Sequence, residues 1–135
     1  MFDASSRAAV AAALDEQVPG ASALGAVDYV ETLLTALDHD PPRIWAAPGP
    51  WAGNGRRWLD LGPWERHGWA DRIAELRAVY GRVVDGQATD GDRRIVHAHA
   101  CEATYGDPAY GGNQAGGGWH RIDFPEPLFP PARDR

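Results

Sequence analysis

The stretch WADRIAELRAVYGRV, residues 69–83, has the clearest helical pattern in the chain. Its apolar residues recur at alternating steps of four and three, the spacing of one face of an α-helix. They are Trp69, Ile73, Leu76, Tyr80 and Val83. Charged residues such as Asp71 and Glu75 fall largely on the other side. The stretch therefore predicts an amphipathic helix with one buried face.

Two helices are predicted before it. The first runs from about Ser5 to Gln17 with an Ala-rich body, and Ser5 or Ser6 is the expected N-cap. The second covers roughly Ser22 to Asp38, and a proline pair at 41–42 ends it because proline lacks the backbone N–H. Its apolar stripe consists of Val27, Val30, Leu34 and Leu37.

A fourth helix is predicted from about Asp92 to Thr104, although the pattern there has two interpretations. Ile95, Ala98 and Glu102 fit a helix, whereas Val96, Ala98 and Ala100 alternate with His97, His99 and Cys101 as in a strand. Alanine is a poor strand former and Gly106 is a natural helix stop, so the helix is favoured.

Two stretches fit no regular element. Residues 41–64 contain five Pro, four Gly and four Trp, and residues 105–135 contain six Gly and five Pro interleaved with aromatic residues. Disordered segments are normally poor in aromatics, so both stretches are expected to be ordered irregular chain. We predict an all-α protein of about four helices with a long Trp/Pro/Gly-rich loop and an extended irregular C-terminal arm. Residues 1–135 form one domain, with a helical body of about 5–104 and the arm at 105–135.

Composition excludes several classes of function. The 135 residues carry a net charge of −6 with no lysine, which argues against a nucleic-acid partner. The single cysteine rules out an intrachain disulfide. The longest run without polar residues, Ala8–Leu14, is too short to span a bilayer and makes a poor secretory signal. We therefore expect no direct membrane insertion and a cytoplasmic location.

One cluster has metal-ligand chemistry. His97, His99 and Cys101 would project together from a strand and, with a water molecule, could hold a zinc ion as in a stand-alone metal-dependent enzyme. On a helix, His97 and Cys101 share a face and His99 points away, so the helical interpretation leaves only two ligands. Phosphate-binding loops and a G-x-S-x-G motif are absent from the sequence, and we expect no catalytic and no cofactor-binding residue in this chain.

Residues 104–125 read TYGDPAYGGNQAGGGWHRIDFP. This block resembles the C-terminal signature of the gluconate 2-dehydrogenase subunit 3 family, Y/F-G-D-P-x-Y-G-G-N, a short spacer, and G-W-x-x-I/L-G-F-P. The matching segments are Tyr105-Gly106-Asp107-Pro108, Tyr110-Gly111-Gly112-Asn113, Gly118-Trp119 and Phe124-Pro125. Asp123 stands where the family usually has glycine. Earlier segments at 19–30, 42–45 and 69–73 resemble the same family, so the similarity spans most of the chain.

The resemblance implies a small bacterial subunit without a cofactor of its own. In that family a large flavoprotein of the glucose–methanol–choline (GMC) oxidoreductase type carries FAD and the active site for sugar or polyol oxidation. A membrane cytochrome c subunit often takes the electrons, and the small subunit is needed for assembly. A twin-arginine export signal is frequent in the family but is not found in this sequence. The expectation is a cytoplasmic heteromer, or a periplasmic one if the chain is exported with its partner.

The expected partner-binding residues lie in the loop and the arm, because Trp, Tyr and Arg are enriched at the centres of interfaces. Glycines between them allow close backbone approach. The set consists of Trp45, Trp51, Arg56, Arg57, Tyr105, Tyr110, Gly111, Gly112, Asn113, Trp119, Arg121, Phe124 and Pro125. The alternative is that the arm folds back over its own helices. Both interpretations can hold if one face of the arm contacts the helices and the other contacts the partner.

Overall fold

The structure, a computed structural model, describes residues 1–46, 56–106, 112, 114 and 117–121. The side chains of residues 45, 46, 56, 57, 119 and 120 are outside this description. Within it the protein is all-α, as predicted. Its helices are α1 (Ala4–Gln17), α2 (Ala26–Leu34), α3 (Pro63–Val84), α4 (Asp90–Tyr105) and the short α5 (Gly117–Arg121). No helix in the described ranges is long and apolar enough to cross a membrane.

The first helix begins one position earlier than predicted and has a different N-cap. Asp3 caps α1, and its carboxylate accepts a hydrogen bond from the Ser6 backbone N–H at 2.7 Å. The expected caps, Ser5 and Ser6, lie inside the first turn instead. An N-cap must precede the first helical residue and face the amide three positions on, which Asp3 does.

The second predicted helix, Ser22–Asp38, is wrong as one continuous element. A 3₁₀ turn spans Ser22–Leu24, and Gly25, at φ +90°, separates it from α2 because this left-handed conformation cannot continue a helix. A second 3₁₀ turn, Ala36–Asp38, follows α2. The predicted buried stripe is nevertheless confirmed, with Leu37 at its half-buried end.

A long-range contact from Arg77 of α3 defines the end of α2. Its Nε and Nη2 donate to the Leu34 carbonyl oxygen at 2.9 and 2.7 Å, and Nη2 also lies 3.1 Å from an Asp38 carboxylate oxygen. A continuing helix would use the Leu34 carbonyl to accept the Asp38 N–H. That N–H donates to the Thr35 carbonyl oxygen instead, which closes a 3₁₀ turn.

The third and fourth helices form a hairpin with defined capping. Thr89 caps α4: its hydroxyl accepts from the Asp92 N–H at 3.1 Å, and the Asp92 carboxylate accepts from the Thr89 N–H at 3.0 Å. Arg82 of α3 adds two hydrogen bonds of 2.8 Å to the same carboxylate. The Arg82 guanidinium and the Thr89 N–H hold the pKa of Asp92 well below its usual range. The Arg82–Asp92 ion pair therefore stabilises the hairpin above about pH 4. This contribution is lost as the pH falls and Asp92 becomes protonated.

The helical interpretation of residues 92–104 is confirmed, but its inward face differs from the predicted one. Ala98 and Glu102 are exposed and Ile95 is half-buried. The buried face of α4 consists of Asp92, Val96, His99, Ala100, Ala103 and Thr104. Asp92 belongs to this face because its carboxylate pairs with Arg82 of α3.

One hydrophobic core joins α1, α2, α3 and α4. Its fully buried large side chains include Leu14, Leu34 and Tyr80. The stripe predicted for α3 is confirmed, with Ile73, Leu76 and Tyr80 buried and Trp69 half-buried.

A second, smaller cluster lies beside the predicted loop. It consists of buried Ala36, Ile44 and Leu61, with Leu37, Trp58 and Trp69 packed against it. Two residue pairs, Trp45–Ala46 (β1) and Arg56–Arg57 (β2), form a minimal antiparallel pairing in which Trp45 faces Arg57. The second cluster and this pairing position the residues that lead into α3.

Candidate docking surface

The turn before α3 is held in place from two sides. Leu61 directly follows the 3₁₀ turn Trp58–Asp60, and its burial in the second cluster anchors the turn there. Arg66 holds the same turn from α3, since its Nε donates to the Trp58 carbonyl oxygen at 3.2 Å. The Arg66 guanidinium carbon also lies 5.4 Å from the centre of the Trp58 ring, a cation–π contact. The backbone around this turn is therefore tied to both α3 and the second cluster.

Two large apolar side chains face solvent at this place. Leu59 is 65% exposed and Trp64 is 83% exposed, and we call them the exposed pair. Trp64 follows Pro63, the first residue of α3, so its backbone belongs to a helix rather than to a loop. Its ring centre lies 6.4 Å from that of His67. Tryptophan is highly buried on average, so an aromatic side chain held outward is an informative exception.

Polar and charged residues of α3 follow Trp64 in the chain. The Glu65 carboxylate accepts from the Gly62 N–H at 3.4 Å, and His67 Nε2 lies 3.4 Å from an Asp71 carboxylate oxygen. This arrangement of an apolar centre beside polar groups has the anatomy of a protein interface.

Most of the predicted partner-binding side chains lie outside the description. Trp51, Tyr110, Gly111, Asn113, Phe124 and Pro125 lie outside the described residues. The backbones of Trp45, Arg56 and Arg57 lie in the β1–β2 pairing, and that of Trp119 lies in α5, while their side chains are outside the description. Tyr105 is the half-buried last residue of α4, and Arg121 is the exposed last residue of α5.

The described residues of the arm contact the helical body. Gly112 is buried so tightly against the Ala103 backbone that a Cβ on it would approach within 3.0 Å. Gly117 meets the Leu24 side chain in the same way. The Gln114 amide lies 3.4 Å from the Asp28 carboxylate. In these described positions the arm folds back on its own helices, and Gly112 serves the attachment of the arm rather than an outward surface.

Gly112→Ala should destabilise the protein by roughly 1–3 kcal/mol, because backbone atoms of Ala103 cannot move aside as a flexible side chain can. Urea unfolding measures this cost, and hydrogen exchange of the α5 amides should show reduced protection. Gly81→Ala is the matched control. Gly81 lies in α3 with open space around it, so alanine should stabilise the helix by about 0.5–1 kcal/mol. Equal stabilities of the two variants would contradict the close approach of Gly112.

The alternative metal cluster does not assemble on α4. His97 Nε2 lies 3.6 Å from Cys101 Sγ near the surface, whereas His99 turns inward. In the part of the chain that the structure describes, no three His, Cys, Asp or Glu side chains are grouped as a metal site. The strand interpretation, on which all three would converge, is wrong.

His99 instead forms a buried pair with Tyr80 of α3. The Tyr80 hydroxyl lies 2.8 Å from His99 Nδ1, and the two rings stack with their centres 5.8 Å apart at 10°. Tyr80 is fully buried, and among the described residues His99 is the partner of its hydroxyl, so we assign the O–H as donor and Nδ1 as acceptor. Burial raises the pKa of Tyr80 and lowers the pKa of His99, because it disfavours the charged form of each.

The sequence prediction places the exposed pair in the partner-binding loop without selecting either residue, although Trp64 carries a signal. Trp64 precedes Ile73 by nine residues, which places it about 180° around the helix from the buried stripe. Pro63 is typical of the first position of a helix, so the helix predicted from residue 69 can be extended back to Pro63 and then includes Trp64. Leu59 carries no such signal.

Comparison of the chain with protein-family models, curated proteins and solved structures gave no match.

Proposed function

We propose that the protein is a non-catalytic accessory subunit that binds and stabilises an FAD-dependent catalytic subunit acting on a sugar, polyol or glycoside. The exposed pair carries the proposal, because Leu59 lies on a turn that is fixed on both sides, Trp64 lies in the first turn of α3, and both side chains face solvent. Aromatic anchors of this kind provide much of the binding energy in protein interfaces. The sequence resemblance of residues 104–125 supplies the identity of the partner.

In this proposal the partner holds the chemistry. FAD and the substrate pocket belong to the large flavoprotein, and this chain contributes a binding surface beside the second cluster. The arm contributes through its outward side, since its described glycines lie against the helical body. If the flavoprotein passes its electrons to the membrane, a cytochrome c subunit would be a further member of the complex.

Co-expression with a GMC-type flavoprotein from the same genome tests the proposal. We expect the flavoprotein to be soluble and loaded with FAD when the chain is present, and to lose flavin or aggregate when it is absent. Flavin absorbance per polypeptide and size-exclusion chromatography provide the measurements. A flavoprotein that is fully soluble, FAD-loaded and active without this chain would refute the accessory role.

A further inference from the structure

The buried imidazole of His99 lies where three helices meet. Tyr80 of α3 stacks on its face, and the ring of Tyr29 of α2 approaches edge-on with the ring centres 6.4 Å apart. His99 itself belongs to α4 and is only 6% exposed. Any change in the size, charge or hydrogen bonding of this ring is therefore felt by α2, α3 and α4 together.

Protonation would reverse the hydrogen bonding at this junction. Neutral His99 accepts the Tyr80 O–H through Nδ1. An imidazolium has N–H groups at both nitrogens and accepts nothing, so the fully buried Tyr80 O–H would lose its acceptor. The added cost is the burial of a positive charge among apolar side chains. Both effects oppose proton uptake in the folded state.

The surrounding charged groups do not remove this penalty. Glu102 of α4 favours the imidazolium, but it is exposed and its carboxylate accepts a hydrogen bond from the Tyr29 hydroxyl. Arg72 of α3 is also exposed and opposes the imidazolium. Burial is the largest influence, and it lowers the pKa of His99 below its ordinary value of 6.5. The unfolded chain therefore takes up the proton more readily than the folded protein does.

We propose that His99 is a built-in pH switch, in which proton uptake loosens α4 from α2 and α3 and with it the attachment of the C-terminal arm. The connection to the arm is direct. Ala103, whose backbone contacts Gly112, follows His99 by one helical turn on the same buried face. This switch lies in the helical body and operates whether or not the proposed function is correct.

The pH dependence of unfolding between pH 8 and pH 5 tests the switch. Below about pH 6.5 the unfolding equilibrium constant should rise by up to about tenfold per pH unit, until the pH reaches the lowered pKa of folded His99. His99→Asn should lower this slope, because its amide can accept a hydrogen bond but does not titrate. His97→Asn, on the exposed side of the same helix, should keep the wild-type slope. Equal slopes for all three proteins would overturn the proposal.

A direct titration of the wild-type protein covers the case in which His99→Asn fails to fold. In NMR spectra of the whole chain, the titration midpoint of the His99 ring protons should lie below pH 6.5. Hydrogen exchange of the α5 amides, compared with that of the α1 amides in the same samples, should accelerate in the same pH range after correction for intrinsic rates. A His99 ring that titrates at or above pH 6.5 would overturn the switch, as would α5 protection unchanged by His99 protonation.

Discussion

Trp64→Ala should weaken binding to the proposed flavoprotein partner by at least about thirtyfold. Removal of an aromatic anchor at the centre of an interface costs about 2 kcal/mol or more, and about 1.4 kcal/mol corresponds to a tenfold change in Kd. The Trp64 side chain is 83% exposed, so its loss should change the free energy of unfolding by no more than about 0.5 kcal/mol. Titration calorimetry and urea unfolding measure the two quantities separately.

Two matched variants make the Trp64 result specific. Glu75→Ala removes another exposed side chain of α3 and should leave Kd within about twofold, as expected for a charge outside the interface. Trp69→Ala removes the same side-chain type from a half-buried position on the second cluster, so it should reduce stability. An unchanged Kd for Trp64→Ala would exclude the exposed pair as the docking site. Loss of a self-associated species on a sizing column would instead assign the pair to contacts between copies of this chain.

Tyr80→Ala should destabilise the protein by about 3–5 kcal/mol. Tyr80 is fully buried and contacts Phe2, with ring centres 6.5 Å apart, as well as His99. Truncating a buried aromatic residue leaves a cavity that its neighbours fill only in part. Domains are typically stable by only about 5–15 kcal/mol, so this variant should have lost a large part of its stability. Urea or thermal unfolding measures the change.

Tyr80→Phe separates packing from hydrogen bonding at the same position. Phenylalanine keeps the ring but leaves the buried Nδ1 of His99 without its donor, which should cost about 1–3 kcal/mol. A Tyr80→Phe variant as stable as the wild type would show that the hydroxyl contributes nothing. A Tyr80→Ala variant that loses less than about 1 kcal/mol would contradict full burial of the ring.

Regular apolar spacing predicted which residues of a helix face the core, but not where the helix is interrupted. Residues 69–83 have a single apolar stripe with charges opposite, and the structure buries that stripe. Residues 22–38 have an equally regular stripe, yet two interruptions divide them. The first is Gly25 at positive φ, and the second is the guanidinium of Arg77 from a distant part of the chain. Tertiary contacts of this kind do not appear in local periodicity.

The candidate site was predictable only in its general location. The richness of residues 41–64 in tryptophan indicated a binding region, and the exposed pair lies at its end. Leu59 and Trp64 could not be selected individually, because their exposure depends on how Leu61 and Arg66 anchor the turn. That anchoring depends on the packing of the second cluster. The sequence leaves His99 as a possible metal ligand, because local spacing does not show which side chain of α3 it meets; in the structure His99 faces Tyr80.

The bond from Arg77 to Leu34 has a consequence for the order in which the protein matures on the ribosome. Residues 1–38 are synthesised before Arg77, so until Arg77 emerges the Leu34 carbonyl oxygen lacks its guanidinium donor. A nine-residue helix is marginal in water without tertiary contacts. We therefore expect the N-terminal third of the nascent chain to remain unfinished and open to chaperones or proteases, and to acquire its final shape only when α3 has emerged.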